Sequence, residues 1–261
     1  MKFSYFDMLT GQPLFFEGVG FMRSPLLEEL RPVTSGGVGE RGYMLYLTLL
    51  SWEKSDIMDY VKTSGLRGWD KVDNERFGVF EIAFLIRAVR ELYLGMFSFF
   101  IDGSVSWDEK RMCVSIFGTD EDGMQIETGI IDKHNFEEVR EALLNLNYVN
   151  IDKNEVEPKF TSEKTKALWE QAQKYLKEQQ RANAKRDSGK YHLANLISKL
   201  CVSGTQYNLF NVYKLTVFQF YDQIFQYASL RRSSLDENIF SNHGGDRFKA
   251  DGWLNPLNKK V

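Results

Sequence analysis

The hydrophobic period of this chain changes twice between Phe77 and Leu146, and those changes constrain the fold class more than any other feature. Residues Phe77 to Phe100 are apolar on most faces of a helix and rich in Phe and Leu, so the spacing predicts one central, buried helix. From Ile101 to Ile131 the pattern becomes strand-like. "VSWDEKRMCVSIF" and "MQIETGIID" read as strands joined by the polar turn "GTDEDG", with a tighter turn at Asp108 and Glu109. "NFEEVREALLNL" then resumes helical spacing, with Asn135 as its cap and Glu138, three residues on, completing a capping box. The chain therefore reads as α+β and predominantly helical, with a small antiparallel β-unit inserted between helices.

The flanking segments fill in the organisation. Phe3 to Phe21 reads as a strand or hairpin with "TGQP" as its turn, and "SPLLEEL" as one or two helical turns within a loop-like stretch from Pro25 to Glu40. Two helices are expected over Tyr43 to Lys54 and Ser51 to Val61. The polar break at Ile151 to Thr161 is the best boundary, separating an N-terminal α+β region (1–155) from a helical C-terminal region (156–261); whether the two share one core is left open. Beyond it come a long polar helix with a thin apolar stripe, the helix "YHLANLISKLCV", and the helix "VFQFYDQIFQYASLRR" with a Thr216/Gln219 capping box. An irregular tail from Ser241 carries Phe248 and Trp253 as anchors.

Composition narrows the function classes. A net charge of -3 argues against a general affinity for phosphate backbones or anionic membranes. The most apolar helical stretch holds Glu81, Arg87, Arg90 and Glu91, which are expensive in a bilayer. The two cysteines, Cys113 and Cys201, suffice neither for a disulfide framework nor for a four-cysteine zinc site, and a reducing cytoplasm is the natural setting. Twenty Phe, 12 Tyr and five Trp form a heavy load of rings, the residues that fill cores and also anchor interfaces.

No catalytic, cofactor or metal constellation emerges. Gly37, Gly39 and Gly42 fit the dinucleotide spacing, but no good strand precedes them and no βαβ alternation follows, so a flexible loop is expected. His243-Gly-Gly-Asp246 has no nucleophile elbow to accompany it and reads as a polar turn. The basic run from Lys174 to Lys190 is interleaved with Glu170, Glu178 and Asp187 and reads as a solvated helix face. The helix after Thr216 shows Phe218, Phe220, Tyr221, Phe225 and Tyr227 on nearly every side, unlike a DNA-recognition helix.

Several phrases together resemble a known family. "KFSYFDMLTGQPLFFEGVG", "YLTLLSWEKSDIMDY", "FFIDGSVSWDEKR", "NLISKLCVSGTQYNLFNVYKLTVFQFYDQIFQY" and "IFSNHGGDRF" resemble tail assembly chaperones of phages and prophages of Gram-positive bacteria. The resemblance implies a protein of the host bacterial cytoplasm that binds the tape-measure protein, keeps its apolar helices soluble, and helps tail-tube protein polymerise around it. This fits the reading of the residues, which expects no enzymatic activity, no cofactor, no nucleic-acid partner and no membrane association, with an enzyme or nucleotide-binding protein as the lesser alternative, and it leaves open a homo-oligomer. A tape-measure helix would lie in an aromatic groove of the C-terminal helices, for which Phe210, Tyr213, Phe218, Tyr221 and Phe225 are the candidates; the alternative for these five is core packing. The length and the inserted β-unit also suit a structural tail, neck or baseplate component of the virion.

Overall fold

A computed structural model describes residues 3–31, 37–66, 76–120, 122–149, 193–203 and 206–243. The polar break, the long polar helix with its basic run, His192, and the anchors Phe248 and Trp253 lie outside the described residues. The chain divides into two units, Met1–Val149 with Tyr213–Val261, and Asn150–Val212. The fold is α+β and mostly helical, with two small antiparallel sheets.

The first unit begins with a helix where a strand was expected. α1 (Tyr5–Leu9) is capped by Ser4, whose hydroxyl accepts from the Asp7 amide at 3.1 Å while the Asp7 carboxylate accepts from the Ser4 amide at 3.3 Å. The hairpin comes later, as β1 (Leu14–Phe16) and β2 (Gly20–Met22), and turns at Glu17 to Val19 rather than at "TGQP". A 3-10 turn over Leu27–Leu30 follows.

α2 (Gly39–Ser51) and α3 (Lys54–Thr63) match the expected helix pair. The single helix expected from Phe77 is two: α4 (Val79–Leu85) and α5 (Arg87–Phe100), broken at buried Ile86 with φ -88° and ψ 103°. No Pro or Gly causes the break; the Phe84 carbonyl there accepts from Arg90 at 3.4 Å, and the Phe84 ring stacks on Trp107 at 5.0 Å and 19°. The meander is as expected: β3 (Ser104–Asp108), β4 (Cys113–Thr119) and β5 (Gln125–Ile131) pair in sequence order.

α6 (Phe136–Leu146) starts without the expected capping box. The Asn135 side chain accepts from the Asp132 amide at 2.9 Å and donates to the Ile130 carbonyl at 2.9 Å, so it ties the helix to the end of β5 instead. The core lies where α2, α4, α5, α6 and the meander meet. Phe80, Phe84, Tyr93, Phe97 and Phe136 form one mutually packed ring cluster, with centroid separations between 4.6 and 6.4 Å.

The polar groups within this core have defined tasks. The last carbonyls of α2 have no partner inside their own helix, and here they are buried. The Tyr93 hydroxyl donates to the Leu49 carbonyl at 2.8 Å, and the buried Arg140 guanidinium donates to those of Leu50 at 2.7 Å and Trp52 at 2.6 Å. A cation at a helix C-terminus also opposes the negative end of its dipole.

The hairpin docks on the meander through a close approach that only glycine permits. A bulge leaves Thr128 unpaired between Ile116↔Gly129 and Phe117↔Glu127. A Cβ on Gly129 would sit 2.4 to 2.6 Å from the Val19 backbone, and the Ile130 amide donates to the Gly18 carbonyl at 2.8 Å.

In the second unit, α7 (Leu193–Val202) buries Leu193, Ile197 and Leu200 along one helical stripe. The last helix, α8 (Val217–His243), belongs to the first unit and runs well past the expected end near Arg232.

Candidate partner-binding surface

α8 starts where the sequence places it. The Thr216 hydroxyl accepts from the Gln219 amide at 3.2 Å, and the Gln219 side-chain oxygen accepts from the Thr216 amide at 3.0 Å, closing the capping box. Short backbone links anchor this start: Val217 N–H to the Pro25 carbonyl at 2.8 Å, and Leu27 N–H to that of Leu215 at 2.9 Å. The first turns are thereby held against residues far away in the chain.

Two rings cover those turns. Tyr5 meets Phe218 edge-on at 6.0 Å and donates its hydroxyl to the buried Asp222 carboxylate. Burial, then that hydrogen bond to an anion, pushes the Tyr5 hydroxyl up to about 12. Tyr148 lies 5.1 Å from Phe218, 6.4 Å from Tyr221, and 5.4 Å from Phe225, with which it is nearly parallel at 11°.

The placement of Tyr148 is itself strained. It ends α6 in a Schellman motif, its amide donating to the Asn145 carbonyl at 3.0 Å and that of Val149 to Leu144 at 2.9 Å. That motif needs a left-handed residue, and Tyr148 has φ 61° where glycine is usual. A bulky residue held in this conformation costs about 1–2 kcal/mol, so its ring must return more than it loses. The return is the three-ring stack on α8.

The five candidate residues therefore divide. Phe218 is 2% exposed and is part of the core. Tyr221 is half-buried and Phe225 is 45% exposed, both beside Tyr148. Tyr213 is half-buried beneath the Arg31 guanidinium, 4.8 Å from its ring centre. Phe210 belongs to the second unit and is 94% exposed; the Asn208 side-chain oxygen accepts from its backbone amide at 2.9 Å.

An aromatic surface absent from that set lies on the hairpin. Phe15 and Phe21 face each other across β1 and β2, ring centres 5.4 Å apart, and are 59% and 49% exposed. Their strand neighbours Phe16 and Met22 point inward and are buried. The pair is carried on a fixed base. The Arg23 amide donates to the Phe100 carbonyl, and the Asp102 amide to that of Phe21, each at 2.9 Å.

The other sequence features take structural places. The expected flexible loop at Gly37 to Gly42 is mostly helix, since α2 begins at Gly39. The amides that would cradle a pyrophosphate are used within the chain: Val38 donates to the Glu29 carbonyl at 2.9 Å and Gly39 to that of Arg31 at 3.0 Å. A Cβ at Gly37 would lie 2.3 Å from the Arg31 oxygen, so this glycine serves backbone packing. His243 is the last residue of α8, and Gly244 to Asp246 lie outside the described residues. Both cysteines are free, Cys113 buried in β4 and Cys201 half-buried in α7. Among the described residues, no cluster of three or more His, Cys, Asp or Glu could hold a metal ion, and no helix is long and apolar enough to cross a membrane.

The family model of the YomV second domain matches residues 182–258, less than a third of the chain. The matched segment contains α7 and α8 and so crosses the division between the two units. Neither a curated protein nor a solved structure matches. The YomV match suggests a phage-type protein, YomV being a Bacillus phage or prophage gene.

Proposed function

We propose that this chain is a phage tail assembly chaperone that holds an apolar helical segment of the tape-measure protein and assists tail-tube assembly. The observation that carries the reading is the Phe15–Phe21 pair, two large rings presented to solvent on an anchored hairpin. Each ring gains about 1–2 kcal/mol when a partner's apolar side chain removes its exposed area from water, enough for a hold that can be released. The phage-type match to the C-terminal part of the chain supports the setting. Phe225 and Tyr221 form a second aromatic patch of the same chemistry on α8.

The experiment is co-expression with the tape-measure protein, followed by affinity capture and light scattering of the soluble complex. We expect the tape measure to stay soluble only with this chain, and Phe15→Ser with Phe21→Ser to abolish the rescue without unfolding the protein. Phe218→Asp does not serve this purpose, because it places a charge in the core. If the tape measure precipitates regardless while this chain is found in purified virions, the protein is a structural tail, neck or baseplate component and the proposal fails.

A further inference from the structure

The outward face of the hairpin does not end at Phe21. The antiparallel bridge Met22↔Ile101 carries the pairing onto a third extended segment, which sets Asp102 opposite Phe21. Met22 and Ile101 point into the core and are 0% and 2% exposed, so their neighbours Phe21 and Asp102 point outward. Phe15, Phe21 and Asp102 thus form one row across three adjacent backbones: two open rings, then a carboxylate whose side chain is 49% exposed.

That carboxylate has no cation to itself. Arg23, beside it, places Nη1 2.7 Å from both carboxylate oxygens of Glu29, and its guanidinium lies 5.7 Å from the centre of the Phe99 ring. The Arg23 Nε stays 3.7 Å from the Asp102 Oδ1, beyond hydrogen-bond length. Among the described residues the Asp102 carboxylate accepts no hydrogen bond. One guanidinium therefore serves two carboxylates, and the row ends in excess negative charge.

Charge and spacing decide the occupant. A partner laid over the two rings also takes water from Asp102, and an apolar or acidic side chain there leaves the carboxylate uncompensated. A lysine or arginine answers it. Neighbouring backbones lie about 4.8 Å apart, so the row spans about 10 Å. A helix advances about 10.5 Å from residue i to i+7, with i+3 and i+4 between them on the same side. We propose that the Phe15–Phe21–Asp102 row binds a partner helix lying across it, with apolar residues at i and i+3 or i+4 and a lysine or arginine at i+7. This rests on the reading of the Phe15–Phe21 pair as the partner-binding surface, and it adds the charge by which that surface selects a partner.

Fluorescence anisotropy of the full chain with two labelled, alanine-based helical peptides of about 20 residues tests it. Both peptides carry leucine at i and i+4; one has lysine at i+7 and the other glutamate. The wild type should bind the lysine peptide about fivefold or more tighter, and raising salt from about 0.05 to about 0.5 M should shrink that preference. Asp102→Asn should remove the preference and Asp102→Lys should reverse it, while Phe15→Ser with Phe21→Ser should weaken both peptides alike. Circular dichroism confirms that each variant is folded. Equal binding of the two peptides overturns the proposal while leaving the ring pair as a binding surface. A preference that survives Asp102→Asn overturns it too. If neither peptide binds, this proposal falls, and rescue of the tape measure's solubility then decides the earlier reading by itself.

Discussion

Replacing Arg140 by Met asks whether the buried guanidinium acts as an ion-pair partner or as the cap of α2. Its carboxylate partner, Glu137 at 2.9 Å, is 56% exposed on the side chain, whereas Arg140 is 8% exposed. An exposed partner contributes little, about 0–1 kcal/mol. The bonds to the Leu50 and Trp52 carbonyls are different, since methionine fills much of the arginine stem's volume but cannot donate. Two bonds from a charged donor, at about 1.5–3 kcal/mol each, predict a loss near 3–5 kcal/mol once local relaxation is allowed. With a urea slope of about 2–3 kcal/mol/M, the midpoint should fall by about 1–2 M. Urea titrations followed by circular dichroism and by tryptophan fluorescence would measure this, and Trp52 and Trp107 report on the first unit. Glu137→Ala should cost less than about 1 kcal/mol in the same assay. Equal losses in the two variants would refute the reasoning, as would a loss below about 1 kcal/mol in Arg140→Met.

Three further outcomes follow from the geometry. Gly129→Ala should destabilise the protein by about 1–3 kcal/mol, because its methyl group would overlap the Val19 backbone, whereas Gly18→Ala meets nothing within 4 Å and should cost only its left-handed φ of 76°. Thermal unfolding of the two variants compares them. At position 148 glycine should be the better of the two truncations: Tyr148→Gly should be about 1 kcal/mol more stable than Tyr148→Ala, since both lose the ring stack but only glycine relieves the left-handed strain. The folded-state value of Tyr5 is raised to about 12, so its contribution to stability is present below its unfolded value of about 10 and disappears as pH rises through 12. Tyr5→Phe should flatten that part of the alkaline loss, measured as the urea midpoint against pH, while the raised Tyr43 and Tyr93 hydroxyls contribute equally to both proteins. Parallel losses in Tyr5→Phe and wild type would remove Tyr5 as a cause.

What the sequence made legible was local. The meander announced itself by alternation and by a polar turn, and the Thr216/Gln219 box by two side chains three residues apart; each is decided within a few residues. The start was misread because a five-residue helix has too little periodicity to detect. Its signal was Ser4 with Asp7, a short form of the capping box. The break at Ile86 shows no Pro or Gly in the sequence; Arg90, six residues on, bonds the Phe84 carbonyl, and Trp107 reaches the Phe84 ring from the meander. Asn135 has the right type and spacing for a cap, but Asp132 and Ile130, brought close by the end of β5, claimed its side chain first.

The same distinction explains the candidate surface. Along the first turns of α8, aromatic residues occupy nearly every side, so periodicity cannot separate a buried ring from a docking ring. The covering residues, Tyr5 and Tyr148, come from opposite ends of the N-terminal unit, and they seal Phe218 while leaving Phe225 partly open. The hairpin pair could have been found by a stricter use of pleat geometry. Leu14, Phe15 and Phe16 are three consecutive apolar residues, and successive strand side chains point to opposite faces. A two-stranded ribbon with one face on the core must therefore send Phe15 outward, and its cross-strand partner Phe21 with it. An outward ring that costs solvation and supports no contact within the core is better placed for a partner than for folding. Removing the Phe15–Phe21 pair should therefore impair the proposed partner binding before it impairs the fold.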